Sequence, residues 1–474
     1  MRMRSFFLIP ALSIGLGLPA TAQSRPTLSP LTRQFVVEDA PVIALRHVRL
    51  IDGTGAPVRD NQTVVLTDGR ITAVGDDALV TVPAGAKVHD LSGTTLIPGL
   101  YDLHAHQYFY SSAGLTQMAV SAPRLYLGGG ITTVRTAGAQ MPYDEMNTKR
   151  DIDRGLAPGP RMHLSGPYLD GPDPGPGRDR RLETPEEARR VVAYLASEGV
   201  TWLKFQGGIS RAVLGAAIEE AHQHQMGVTG HLCSVSFREA AALGIDNLEH
   251  GLITNSDWVP DREPDRCSPK NMRIQADVDV DSPAVDSTIK ELLARNVALT
   301  STLSVYELFV PGRAQVPPEA LEMIAPPARA VVLAELEATN KGNGFVPPRL
   351  FQKMMQFERK WVRAGGLLAA GVDPWGNGSL PGFGDHRNYE LLIEAGFTPV
   401  EVIKIMAANG AQVLRELNRR GTITIGKQAD LVVLNGDLPS TPSVIRNVRL
   451  VFKDGIGYDA PKLRLSAKAM VGIQ

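Results

Sequence analysis

Apolar and polar positions change their period along the chain, and the changes divide it into parts. Residues 6–20 form an uncharged, apolar run behind Arg2 and Arg4. After a polar leader at 24–40, short alternating runs at 42–45, 63–66 and 71–74 have the period-two texture of half-buried strands. Asp52-Gly53 and Asp68-Gly69 punctuate them as hairpin-type turns. The far end reads the same way: 429–434 and 448–452 are strand-like, and Lys453-Asp454-Gly455 is a turn. Chain ends often lie close together, so these two regions predict one composite β-sandwich domain from residues 41–98 and 420–465.

Between them, apolar runs of strand length alternate with helix-like stretches, the pattern of βα units around a parallel sheet. The expected strands are 95–100 leading into His104, 131–136, 162–165, 201–205, 227–232, 246–250, 297–302 and 367–372. Helices are expected at 184–197, 211–224, 287–295 and 350–364, the first with Pro185 in its opening turn and Thr184 and Glu187 as a capping box. Eight such units predict an α/β fold, a (β/α)8 TIM barrel over residues 99–419. Two connections, 254–283 and 309–348, exceed ordinary loop length and suit a lid or a specificity wall, and 171–177 is an irregular Pro/Gly stretch.

Composition narrows the partners. Forty-nine basic against fifty acidic residues leave a formal charge of −1 without a basic stripe, which gives nucleic-acid binding no electrostatic basis. Two cysteines exclude a disulfide scaffold or a multi-cysteine metal cluster; Cys233 and Cys267 can form one disulfide or remain thiols. The basic start, the apolar run and Ala20-Thr21-Ala22 read as a signal peptide over residues 1–22. The run is shorter than the roughly 20 residues that span a bilayer, and Pro10 and Pro19 interrupt it. A periplasmic or secreted protein without stable membrane insertion is therefore expected, with a homo-oligomer left open.

Chemistry concentrates at the ends of the expected strands. Asp102-Leu103-His104-Ala105-His106 closes the first, and residues two apart in a strand share a side, so both imidazoles face one point. Lys204 interrupts the apolar run Thr201-Trp202-Leu203-Lys204-Phe205, where an unpaired ammonium would be costly. His231 and His250 end the fifth and sixth strands and Asp373 the eighth. Barrel enzymes gather catalytic groups at that face, and imidazole and carboxylate suit zinc or similar ions. Taken singly, each residue could also be a packed histidine, a salt-bridge partner or a cap. His222 and His224 on a polar helix end, and His47 and His89 in the β region, are read as surface or packing residues; His163 is ambiguous.

In this order the residues resemble the amidohydrolase superfamily over nearly the whole chain: HxH on strand one, lysine on four, histidines on five and six, aspartate on eight. The sandwich halves add Ile51-Asp52-Gly53-Thr54-Gly55 and Gly421-Thr422-Ile423 through Gly426-Lys427-Gln428-Ala429-Asp430-Leu431. The resemblance implies two divalent metal ions, zinc in the first instance, with His104, His106 and Asp373 on one, His231 and His250 on the other, and a carbamylated Lys204 bridging them. It implies amide hydrolysis by a metal-bridged hydroxide, with Asp373 moving the proton. Ile131-Thr132-Thr133-Val134-Arg135, Gly199 through Lys204 and Glu394 through Pro399 are most similar to the prolidase-like group, which acts on dipeptides and N-acyl amino acids. Relatives often carry an acid after that arginine, where this chain has Thr136. Tyr108, Arg135, Tyr306 and His386 are the expected substrate contacts. A cyclic amidase or lactonase would use the same site. A mononuclear deaminase is disfavoured by Lys204, and a non-catalytic scaffold would be expected to have lost ligands.

Overall fold

The structure is a computed structural model that describes residues 26–112, 114–172, 180–374 and 376–473. The expected signal peptide lies outside these residues, as does most of 171–177.

Strands from both chain ends hydrogen-bond into one nine-stranded sheet. Its path runs Val36–Glu38, Ile456–Asp459, Val448–Lys453, Leu431–Asn435, Thr94–Pro98, Val42–Leu50, Arg59–Thr67 and Arg70–Asp76, with Lys87–Asp90 beside Val42–Leu50. The ends meet where Val432 opposes Ile97 in an antiparallel register. Ile43, Leu45, Val64, Leu96, Leu431 and Phe452 form its apolar core. Asp68 and Gly69 both have positive φ, 46° and 80°, as a two-residue turn between right-twisted strands requires. Asp52-Gly53 is different: it opens a longer connection between Val42–Leu50 and Arg59–Thr67 and is not a tight hairpin. In the leader, Ser29 caps the short helix Pro30–Arg33, and Val36–Glu38 adds a strand to the sheet edge.

The expected strand 95–100 divides at Gly99. Thr94–Pro98 belongs to the nine-stranded sheet, and Leu100–Ala105 starts the parallel region. A Cβ at Gly99 would lie 2.2 Å from Thr132 Oγ1, so only glycine passes this junction. The other seven expected strands appear, Ile131–Thr136 with the expected bounds, Arg161–His163 shifted towards its start, and Trp202–Phe205, Gly227–Gly230, Asn247–Glu249, Ala298–Ser301 and Leu368–Ala370 trimmed at their ends. They fall in two parallel sheets, one of three strands and one of seven that also takes in Tyr168–Asp170 and Arg180–Arg181. Trp202 N donates to Leu164 O at 3.0 Å and Asp373 N to His104 O at 2.9 Å, so backbone hydrogen bonds also run between the two sheets.

Helices Pro185–Ser197, Arg211–Gln223, Pro283–Ala294 and Pro348–Arg363 lie where the apolar period places them, the third starting earlier because Ser282 caps it with Pro283 in its first turn. Thr184 caps the first by accepting from Glu187 N, but the Glu187 carboxylate accepts from Glu183 N, so only half of the capping box forms. The long connections are not structureless: 254–283 contains Asn271–Gln275, and 309–348 contains Pro326–Ala338. Arg161 binds Asp430 at 3.0 Å and Asp454 at 2.7 Å, tying the start of a parallel strand to the nine-stranded sheet. Among the described residues, no helix is long and apolar enough to cross a membrane.

Candidate active site

Six side chains converge where the parallel strands end. His104 lies in the strand Leu100–Ala105, with His106 one residue beyond it, and Lys204 lies in Trp202–Phe205. His231 follows Gly227–Gly230, His250 follows Asn247–Glu249, and Asp373 follows Leu368–Ala370. His250 and Asp373 have left-handed backbones, φ 65° and 53°. Such a conformation is unfavourable for a residue with a Cβ and persists where the surroundings over-determine it. The first and last strands are laced together because Asp102 Oδ1 accepts from His104 N at 2.7 Å and from Val372 N at 3.3 Å.

Each of three imidazoles is anchored through Nδ1. His104 Nδ1 donates to Glu249 Oε2 at 2.8 Å, His106 Nδ1 donates to Gly138 O at 3.2 Å, and His250 Nδ1 is bonded to Thr302 Oγ1 at 2.7 Å. The opposite nitrogens are turned to one another's neighbourhood: His104 Nε2 is 3.5 Å from Lys204 Nζ, and His106 Nε2 is 3.0 Å from Asp373 Oδ1. His250 Nε2 is buried and has no hydrogen-bond partner among the described residues. Donor atoms of His104, His250 and Asp373 all lie within 4.8 Å of one another. Burial, with Lys204 second, pushes the His104 imidazole well below its usual range and His231 to about 4. Burial followed by His231 does the same to His250. Burial alone would raise the Asp373 carboxyl, but the neighbouring His104 and His106, the latter through a hydrogen bond, and Lys204 together hold it at about 2. Neutral imidazoles, an ionised carboxylate and a buried partnerless ring nitrogen fit the demands of a divalent cation.

Glu249 organises the layer beneath. It is fully buried; its Oε1 accepts from Arg135, from Thr229 Oγ1 at 2.5 Å and from Asn247 Nδ2 at 3.2 Å, while Oε2 holds His104. Arg135 also donates to Leu103 O and stacks 4.8 Å over the Trp202 ring. The expected substrate contact at Arg135 is thereby corrected: the guanidinium is fully buried below the six side chains, with Nη2 on Glu249. His386 is likewise corrected, because helix Phe383–Glu394 buries it and its Nε2 donates to Gly129 O at 2.8 Å. Tyr108 and Tyr306 do line the cavity. His163 lies 3.3 Å from Glu416 and not at the site. His47, His89, His222 and His224 pair with carboxylates of their own neighbourhoods.

A cavity of about 950 Å³ opens above the six side chains. Beyond Tyr108 and Tyr306 it is lined by Tyr168, Leu232, Met272, Phe309 and Phe345 among others. The Tyr168 hydroxyl is 2.5 Å from that of Tyr108 and 3.2 Å from His106 Nε2. Cys233 and Cys267, left open above, form a disulfide with Cα atoms 5.0 Å apart. It fastens the 254–283 connection to the end of the strand that precedes His231. Glu249, Thr302 and Tyr168 were not assigned from sequence. Glu249 stands beside His250 at the end of an expected strand, Asn247-Leu248-Glu249-His250, and that position is the signal it carried. Tyr168 sits beside a Pro/Gly-rich stretch and carried none.

A sequence model of the amidohydrolase family matches residues 95–308 and 383–457. Among solved structures, a candidate prolidase from Bifidobacterium longum is 26% identical, covering 91% of this chain and 99% of that chain with a TM-score of 0.65. A Xaa-Pro dipeptidase with methionine bound in its active site is 18% identical over 88% of this chain and 100% of its own, TM-score 0.65, a likeness of fold. The enamidase of Eubacterium barkeri is 34% identical over 100 residues, 20% of this chain and 25% of the relative. The chain thus spans about a quarter of that curated relative's length.

Proposed function

The chain belongs to the amidohydrolase family, and from that premise we propose that it is a metal-dependent hydrolase of carbon–nitrogen bonds in small amides. The observation that carries the reading is the convergence of donor atoms of His104, His250 and Asp373 within 4.8 Å of one another, on a histidine whose Nε2 has no hydrogen-bond partner among the described residues. His104, His106 and Asp373 would hold one divalent ion and His231 and His250 a second, with Lys204, carbamylated, between them. Bound there, the ions supply an activated water and polarise the scissile carbonyl. Asp373, ionised at the centre of the cluster, takes the proton from the attacking water and returns it to the leaving nitrogen. Tyr168, whose phenol burial holds protonated well above neutral pH, presents a donor to the cavity beside His106.

The eight parallel strands are proposed to form a (β/α)8 barrel, and the nine-stranded sheet a sandwich-like end domain; the hydrogen bonds between the two parallel sheets support the first. Export behind residues 1–22 is supported by the Cys233–Cys267 disulfide, which suits an oxidising compartment. Dipeptides and N-acyl amino acids enter as substrate classes through the prolidase-like neighbours. The test is metal analysis joined to turnover. About two ions per chain are expected, with activity on an amide panel lost to a chelator and restored by zinc. Asp373→Asn should lower turnover by orders of magnitude and bound metal much less. A folded chain that takes up no metal overturns the proposal.

A further inference from the structure

We infer that the substrate of this site carries a bulky, uncharged, apolar or aromatic group and needs no free carboxylate. The inference rests on the amide-hydrolase reading and narrows it. Three separate segments bring large apolar side chains to one cavity: the hairpin strand Tyr108–Ser111, the insertion 309–345 and the 254–283 connection. At the mouth, Tyr110 and Phe345 stay about half exposed, 45% and 50%, while the Phe345 ring stacks on Phe309 with centroids 4.3 Å apart. Met272 and Ile253 face the same space from the disulfide-fastened side. Apolar surface held open at a cavity mouth is what a bound apolar group would cover. The volume, about 950 Å³, lies near the top of the roughly 300–1,000 Å³ range that holds drug-sized ligands.

The charges point the same way. Among the described residues that line the cavity, Lys204 is the one cation, and it belongs to the metal-ligand cluster. Asp170 is the one carboxylate besides Asp373, and it already accepts from Gly171 N and Gly208 N at 2.8 Å each. Arg135, expected from the sequence as a substrate contact, is buried against Glu249 instead. A free carboxylate brought into this cavity would lose its hydration for no charged partner among the described lining residues outside the metal-ligand cluster. In the reaction, the C–N bond of a neutral amide breaks, the oxygen of water joins the carbonyl carbon, and its proton leaves with the nitrogen.

The experiment uses the full chain loaded with zinc and four compounds sharing one scissile bond: N-acetylproline, N-acetylpyrrolidine, N-naphthoylproline and N-naphthoylpyrrolidine. A parallel set built on glycine and methylamine covers secondary amides. We expect kcat/KM for the naphthoyl compounds at least tenfold above the acetyl ones, and no loss on removing the carboxylate. In Phe345→Ala and Tyr110→Ala the naphthoyl-to-acetyl ratio should fall about tenfold. A tenfold preference for the carboxylate-bearing members, or a ratio unchanged in both variants, overturns the inference. Calorimetric binding of N-naphthoylpyrrolidine to the metal-free chain separates the two claims. Tight binding without turnover of any amide refutes hydrolysis and supports the apolar cavity; turnover without a naphthoyl preference in binding refutes the cavity reading alone.

Discussion

Replacing Glu249 by glutamine tests whether the layer beneath the metal ligands prepares the site. The carboxylate is fully buried, anchors His104 through a 2.8 Å bond, and is the ion-pair partner of Arg135. Removing its charge leaves the Arg135 guanidinium buried without a counter-ion. Breaking one side of a buried pair costs about 3–5 kcal/mol, which in a chain of this length should lower Tm by roughly 5 °C. The His104 ring loses the acceptor that keeps Nδ1 protonated and Nε2 directed inward, an effect worth about 10–100-fold in metal affinity. The two consequences separate in the double variant Arg135→Met/Glu249→Gln. Stability should largely return because no unpaired charge remains, whereas zinc affinity, read by competition with a chromophoric chelator, should stay depressed. If Glu249→Gln binds zinc within twofold of the parent, or if the double variant restores affinity along with Tm, Glu249 does not position His104 and the reasoning fails.

Glu358 predicts a pH effect of definite sign. It is buried with one oxygen accepting from Ser301 Oγ at 2.8 Å, and burial raises its carboxyl from 4.5 to about 8. The folded state thus favours the protonated acid, so stability is highest below pH 4.5 on this account and falls as pH rises towards 8. At about 1.4 kcal/mol per pH unit the fall amounts to a few kcal/mol. Glu358→Gln should flatten that decline in urea unfolding at pH 5 and pH 8.5; parallel declines in the two proteins would refute it. Reducing the Cys233–Cys267 disulfide, or Cys267→Ser, should raise KM several-fold with a smaller change in kcat, because the loop carrying Met272 loses its fastening while the metal ligands keep theirs. A proportionate fall in kcat at constant KM would count against this.

The metal-ligand candidates were legible because their signal is local. His104 and His106 share a strand side by spacing alone, Lys204 stands out within an apolar run, and His231, His250 and Asp373 each stand at the end of an expected strand. What escaped depends on tertiary neighbours. By sequence Arg135 is an expected substrate contact, although Thr136, where relatives often carry an acid, leaves its surroundings open. Its partner, Glu249, comes from a strand 114 residues away, a distance at which sequence spacing says nothing. His386 fell near strand eight in sequence, yet the helix that begins at Phe383 turns it into the core. The polar leader carried no strand signal, yet Val36–Glu38 suffices to pair with Ile456–Asp459 once that edge exists.

The charges at the centre explain why a lysine belongs among the histidines and yield a further prediction. With neutral imidazoles, the buried cations Lys204 and Arg135 balance the buried anions Asp373 and Glu249. Two divalent ions would add four positive charges to a site shielded from water, where uncompensated charge is strongly unfavourable. Lys204 is the group that can reverse sign: the ammonium contributes one positive charge, its carbamate one negative charge, and the carbamate oxygens are suitable ligands. Carbon dioxide is therefore expected to be a reactant in metal loading. Zinc added to metal-free chain in bicarbonate buffer should reach about two ions per chain, and in carbon-dioxide-free buffer distinctly fewer. Lys204→Met should load poorly in both, and a short-chain carboxylic acid should partly rescue it by supplying the missing bridge. Equal loading with and without bicarbonate would show that the cluster is neutralised in some other way and that Lys204 stays an amine.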